Sequence, residues 1–281
     1  MATLAYRLLN VFTRGNEVLS GNPLCVFEDG SQLSSATMQA LARQFNLSET
    51  TFILPSQRAT AAVRIFTPAY EMPFAGHPTL GTAAVCRSLR LAGDRLELEV
   101  PAGIIPVAAE GARWTLQARP ATWREFDHPR EVLARMLGID VGAIGERPMW
   151  IKAGKEQLIV PLNSADAVRQ VRPSAEHFAQ VRSAEGHSMA YVFAPVGPQR
   201  LLGRFFFPQD TAVIEDPATG SATANLGGWM IAMGRTLPTS VEISQGEYVE
   251  RPSTLQLTVD AQQQIFVGGD VIELGRGTIT L

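Results

Sequence analysis

Three ionisable side chains in this chain stand where proton chemistry could be done. Glu49, in Asn46-Leu47-Ser48-Glu49-Thr50-Thr51-Phe52, lies between a helix-like segment and an apolar strand. A carboxylate beside such a strand is a candidate acid or base with a raised pKa, although the ordinary fate of a loop glutamate is exposure to water. His77, in Gly76-His77-Pro78-Thr79-Leu80-Gly81-Thr82-Ala83, and Asp216, in Glu215-Asp216-Pro217-Ala218-Thr219-Gly220-Ser221-Ala222, each stand before a proline and an apolar run. That is the pattern of an N-cap, a proline at the first helical position and a helix behind it. Facing each other, two such helix starts would make a polar, anion-attracting cleft, with Gly76, Thr79, Gly220 and Ser221 supplying free N–H groups and hydroxyls for a carboxylate or phosphate. Asn22, in Gly21-Asn22-Pro23, fits a turn and can also point an amide at a ligand.

The elements that must carry these residues occur twice. The two motifs match as H-P-x-x-G-T-A against D-P-x-x-G-S-A, and Arg64-Ile65-Phe66-Thr67-Pro68 is echoed by Arg204-Phe205-Phe206-Phe207-Pro208. Thr51-Phe52-Ile53-Leu54-Pro55 has a counterpart in Tyr191-Val192-Phe193-Ala194-Pro195, and Thr115-Leu116-Gln117 recurs as Thr254-Leu255-Gln256. Four matches in one order at nearly constant spacing indicate a duplication. Each copy reads as a short helix (35–45; 175–185), two strands, a long helix (78–91; 217–234) and further strands, among them 61–67, 96–100 and 113–118, then 200–207, 241–245 and 255–259. The long helices carry small or apolar residues on nearly every face, so each should be buried all round. The expected class is α+β: two similar domains, each a curved, mostly antiparallel, barrel-like sheet wrapped around a central helix. The first spans 1–119, with the C-terminal strand at 270–281 available to complete it; the second spans 120–281, after a link at 119–129 where proline and charge interrupt the strand pattern. Within this repeat His77 and Asp216 hold matching positions, whereas Glu49 has no partner, its counterpart being Met189.

The chain has 281 residues, 46% of them hydrophobic, with a formal net charge of -3. That balance gives no basic field, which argues against nucleic acid and anionic membrane as partners. The N-terminus lacks the charged and apolar regions of a signal peptide, so a cytoplasmic location is expected. Cys25 and Cys86 lie in apolar surroundings and read as core thiols, with neither a disulfide nor a metal site expected. His128, His177 and His187 lie in polar segments and read as surface residues.

The strings Val11-Phe12-Thr13, Gly21-Asn22-Pro23-Leu24-Cys25-Val26-Phe27, Asn46 to Phe52, Arg64 to Pro68, Pro73-Phe74-Ala75-Gly76-His77-Pro78-Thr79 and Glu215 to Ala222 resemble, in order, those of the PhzF family of phenazine-biosynthesis-like isomerases. The resemblance implies a diaminopimelate epimerase-like fold with the active site enclosed between two domains. It implies Glu49 as the acid/base glutamate, His77 and Asp216 as further catalytic residues, and Ser221 as a ligand-contacting hydroxyl. His77 would orient substrate or shuttle a proton, with Asp216 fixing its tautomer or binding an amino group. The implied reaction is cofactor-independent proton transfer on a small carboxylate-bearing substrate, trans-2,3-dihydro-3-hydroxyanthranilate or a related metabolite, in a homodimer. Related epimerases carry cysteines at the two helix starts; their absence here disfavours two-thiol racemisation. An amino-acid epimerase using other groups, or a binding module that has lost turnover, are the alternative readings.

Overall fold

The structure is a computed structural model that describes residues 3–281. It separates into two compact units, one running to Gln117 and rejoined by Gly268–Leu281, the other Ala118–Val267. The first contains β1 (Thr3–Val11), β2 (Asn22–Phe27), α1 (Ser35–Phe45), β3 (Glu49–Leu54), β4 (Ala61–Phe66), β5 (Glu71–Met72), α2 (Gly76–Ser88), β6 (Arg95–Val100), β7 (Gly103–Glu110) and β8 (Arg113–Gln117). Strand β1 pairs antiparallel with β2, β2 parallel with β3, β3 antiparallel with β4, and β4 parallel with β6. Antiparallel pairs β6 with β7 and β7 with β8 follow. The C-terminal strand Ile265–Thr280 pairs with both β8 and β1, closing eight strands into a barrel without free edges.

Helix α2 fills that barrel, packing on β1, β2, β3, β4, β6 and β8. Its small and apolar residues make this possible: Leu80, Gly81, Thr82, Ala83, Val85 and Cys86 are all buried. A Cβ on Gly81 would stand 3.0 Å from Val11 Cγ2 and closer still to Leu24, so only glycine lets the helix lie this near the wall. Helix α1 is capped by Ser34, whose hydroxyl accepts from the Thr37 N–H, and ends on left-handed Asn46. Its Met38, Leu41 and Ala42 share a cluster with Phe27 and Phe52, whose rings stack at 4.9 Å. This packing fixes β2 against β3, and these two strands begin with Asn22 and Glu49.

The second unit contains β9 (Thr122–Glu125), α3 (Arg130–Leu137), β10 (Met149–Lys152), β11 (Glu156–Pro161), α4 (Ala165–Gln170), α5 (Ala175–Phe178), β12 (Ala190–Gly197), β13 (Arg200–Gln209), β14 (Ala212–Asp216), α6 (Gly220–Ala232), β15 (Thr239–Gln245) and β16 (Ser253–Val259). The pairing β9–β10–β11 is antiparallel, β11–β12 parallel, β12–β13 antiparallel, β13–β15 parallel and β15–β16 antiparallel. The Asp260 N–H donates to the Gln264 carbonyl, leading into the C-terminal strand, and the Ala118 N–H donates to that strand's Ile265. The same succession of parallel and antiparallel neighbours therefore recurs around α6, which packs on β9, β10, β11 and β16. Among the described residues, no helix is long and apolar enough to cross a membrane.

The pairings also show which residues are true counterparts. Arg64 clamps Glu71 with two side-chain hydrogen bonds, and Arg204 clamps Glu215 in the same way, with each guanidinium over the ring of Phe66 or Phe206. Glu71 therefore matches Glu215, Met72 matches Asp216, and the two helices match from Gly76 and Gly220 onward. This overturns the expected pairing of His77 with Asp216: His77, second in α2, corresponds to Ser221, second in α6. The spacing slips because the hairpin between Arg204 and Glu215 is longer than that between Arg64 and Glu71. The Thr115–Gln117 match is likewise a coincidence, since β8 holds the former while Thr254–Gln256 lies in β16, the counterpart of β7. Strand β9 occupies the segment expected to interrupt the strand pattern, and the helix expected over 175–185 is only Ala175–Phe178.

Candidate active site

The residues singled out in the sequence fall into two groups, one in each unit. In the first, Glu49 opens β3 beside Leu24 of β2, and His77 projects from the first turn of α2. His77 Nε2 lies 3.3 Å from Glu49 Oε2, with the side chains only 6% and 15% exposed. The imidazole also bonds to the backbone of Pro23. Proline offers only a carbonyl, so the ring must donate. Nε2 is the nitrogen turned to Glu49 and makes no hydrogen bond of its own, which leaves Nδ1–H for Pro23 and a lone pair on Nε2. Burial pushes the His77 pKa down to about 3, so the ring is neutral near pH 7. The Pro23 carbonyl, not Asp216, sets its tautomer.

Asn22 is buried as the first residue of β2; the turn before it belongs to Gly21, at φ +81° with a Cβ position 2.6 Å from the Val11 carbonyl oxygen. Thr79 is fully buried, and its hydroxyl donates back to the Ala75 carbonyl at 2.7 Å. Tyr70, which no sequence pattern marked, has its hydroxyl pKa raised by burial and by the charge of Glu49, so it shares this environment.

In the second unit, Asp216 ends β14 and lies before α6, so it is not the residue at the helix boundary. The Thr219 hydroxyl donates to Asp216 Oδ2. Gln245 organises both: its Oε1 accepts the Thr219 N–H, and its Nε2 donates to the Asp216 carbonyl at 2.9 Å and to Thr219 Oγ1 at 3.0 Å. Ser221 is half-buried, and its Oγ lies 3.0 Å from Gln157 Nε2. Gln157 and Asn225 are 2% and 1% exposed and are bonded to each other. The available sequence signal for these two was an amide inside an otherwise apolar strand and helix, which a folded chain buries only with partners.

Pro78 and Pro217 do not occupy the first helical position: α2 starts at Gly76, before Pro78, and α6 at Gly220, after Pro217. Their N-caps, Ala75 and Thr219, make no side-chain capping bond, so side-chain caps leave the first-turn N–H groups unclaimed. Cys25 and Cys86 lie away from both starts, and burial raises both thiol pKa values, that of Cys86 to about 12. Neither thiol is placed to exchange protons at neutral pH.

The family described as phenazine biosynthesis-like protein matches residues 9–273. An uncharacterised isomerase from Pasteurella multocida is 37% identical over 278 residues, covering 98% of this chain and 93% of its own. The trans-2,3-dihydro-3-hydroxyanthranilate isomerase of Pseudomonas aeruginosa is 36% identical over 259 residues, covering 89% and 88%. Among solved structures, a Bacillus anthracis phenazine biosynthesis protein of the PhzF family superposes with a TM-score of 0.87 at 24% identity over all of both chains. A hydroxyproline epimerase from Agrobacterium vitis, covering 99% and 93%, gives 0.66 at 13% identity, which shows a shared epimerase-like fold. Sequence, fold and the repeated barrel together place the chain in the phenazine biosynthesis-like, or PhzF, family of isomerases.

Proposed function

We propose that the protein moves a proton within a small carboxylate-bearing substrate, trans-2,3-dihydro-3-hydroxyanthranilate or a related metabolite, without a cofactor. The observation that carries this reading is the buried approach of Glu49 to a neutral His77. Glu49 takes the proton from a substrate carbon, and the electron pair left behind spreads into the conjugated system. As Glu49 becomes a carboxylic acid, its new O–H points to the Nε2 lone pair, which supports the protonated intermediate until the proton returns to a different carbon. A closed, dry site is what lets a carboxylate act on carbon.

The second unit supplies binding. Ser221 and the first-turn N–H groups of α6 hold the substrate carboxylate. Asp216, held by Thr219, accepts a hydrogen bond from a substrate amino or hydroxyl group. Asn22 lines the same end of the first barrel. The family resemblance supports a homodimer, to be checked by sedimentation.

An amino-acid epimerase needs an acid or base on each face of its carbon. Here the counterpart of His77 is a serine hydroxyl, which favours one-sided proton transfer instead. The test is incubation with trans-2,3-dihydro-3-hydroxyanthranilate in D2O, followed by NMR. Isomerised product supports the reading; unchanged substrate at micromolar enzyme would refute the substrate assignment. Deuterium at an amino-acid α-carbon would instead favour the epimerase.

A further inference from the structure

We infer that a buried amide relay, Asn225 to Gln157 to Ser221, fixes Ser221 as a hydrogen-bond donor and so makes the site selective for a carboxylate over a carboxamide. The inference rests on the proposed binding role of Ser221. It follows from the obligatory polarity of two backbone groups at the start of the chain of bonds. The Ala153 N–H can only donate, and it meets Asn225 Oδ1 at 2.7 Å. The Lys155 carbonyl can only accept, and it meets Asn225 Nδ2 at 3.0 Å. Together they leave the Asn225 amide one orientation, with no reliance on where hydrogens are drawn.

The second Nδ2 hydrogen of Asn225 points to Gln157 at 2.7 Å, so the Gln157 atom there must be Oε1. Its remaining end, Nε2, then faces Ser221 Oγ at 3.0 Å as a donor. Ser221 accepts this bond, and its own proton is left to turn outward. Because Asn225 and Gln157 are almost fully buried, water does not compete for these bonds, and flipping either amide would strand buried donors against donors. The counterpart of Gln157 in the first barrel is Leu24, and that of Asn225 is Gly81, so the relay belongs to the second unit alone. Gln157 and Asn225 act through Ser221 and are positioning residues.

The test compares binding of two inert aromatic probes, 3-hydroxyanthranilate and 3-hydroxyanthranilamide, to the full-length protein by calorimetry. Wild type should prefer the carboxylate. Gln157→Glu puts acceptors on both sides of position 157, so Ser221 must donate inward and offers a lone pair outward. The preference should shift toward the amide by tenfold or more. Gln157→Leu removes the relay without reversing it, which frees the Ser221 hydroxyl to donate or accept, so the preference should fall to a value between those of wild type and Gln157→Glu. Equal weakening of both probes by Gln157→Glu would reduce the relay to a structural role and overturn the inference.

Neutron diffraction from the deuterated, ligand-free protein gives an answer that does not depend on the probes. The Ser221 deuterium should point away from Gln157; a deuterium lying between Ser221 Oγ and Gln157 overturns the inference. If wild type binds neither probe, the functional reading fails on its own, and the neutron map still decides the polarity.

Discussion

Because His77 is buried in its neutral form, folding must lose stability as acid charges the unfolded chain. The sign follows from the two pKa values: about 3 in the folded state against 6.5 for the unperturbed group. Between these values the unfolded state binds the extra proton, so the contribution is complete above pH 6.5 and is lost as pH falls toward 3. At 1.36 kcal/mol per pH unit, lowering pH from 7 to 4.5 should remove about 2 to 3 kcal/mol through this residue alone. The perturbation is His77→Gln, which can still donate to the Pro23 carbonyl but does not titrate. Urea unfolding of both proteins, followed by circular dichroism from pH 7 to 4.5, gives the comparison, since titrations elsewhere are common to both. The variant starts less stable at pH 7, and the gap should narrow by about 2 to 3 kcal/mol at pH 4.5. Parallel curves would refute a neutral buried ring. A gap that widens in acid would mean that His77 is held as a cation against Glu49.

Two further outcomes concern the scaffold. Arg204 and Glu215 are 6% and 8% exposed, whereas Arg64 and Glu71 are 26% and 33% exposed, so Glu215→Gln should cost about 3 kcal/mol and Glu71→Gln about 1 kcal/mol in urea unfolding. Equal costs would mean that burial does not separate the two clamps. Gly227→Ala would place a methyl 2.8 Å from Ile265 Cγ2 and 3.1 Å from Leu257 Cδ1. Crowding should outweigh the gain in helix propensity, for a net loss of about 1 kcal/mol and a lower melting temperature; a rise in melting temperature would show that the wall yields freely.

The sequence made the duplication readable because barrel strands repeat their β-branched and aromatic content, and because central helices must be apolar on every face. It could not place the copies in exact register. The resemblance of His77-Pro78 to Asp216-Pro217 hides a longer hairpin in the second copy, and only strand pairing shows that Met72 is the counterpart of Asp216. Glu49 and His77 stood out by type and setting, and they do meet. Their relation depends on Pro23, whose carbonyl fixes the tautomer from a strand far away in sequence. Gln157, Asn225 and Gln245 carry no spacing signal as single amides; their importance comes from burial, which a linear pattern does not report. The Thr79 hydroxyl, a candidate ligand contact in the sequence, donates in the folded chain to the Ala75 carbonyl at the helix start.

The central claim is that Glu49 carries a proton to and from a substrate carbon. Its most direct test is Glu49→Gln in D2O with trans-2,3-dihydro-3-hydroxyanthranilate, following isomerisation and deuterium entry at carbon by NMR. Gln keeps the size of the side chain but removes the base, so both rates should fall by a factor of about 10³ or more while substrate still binds. Undiminished isomerisation and exchange in the variant would contradict the account and assign the proton to another group.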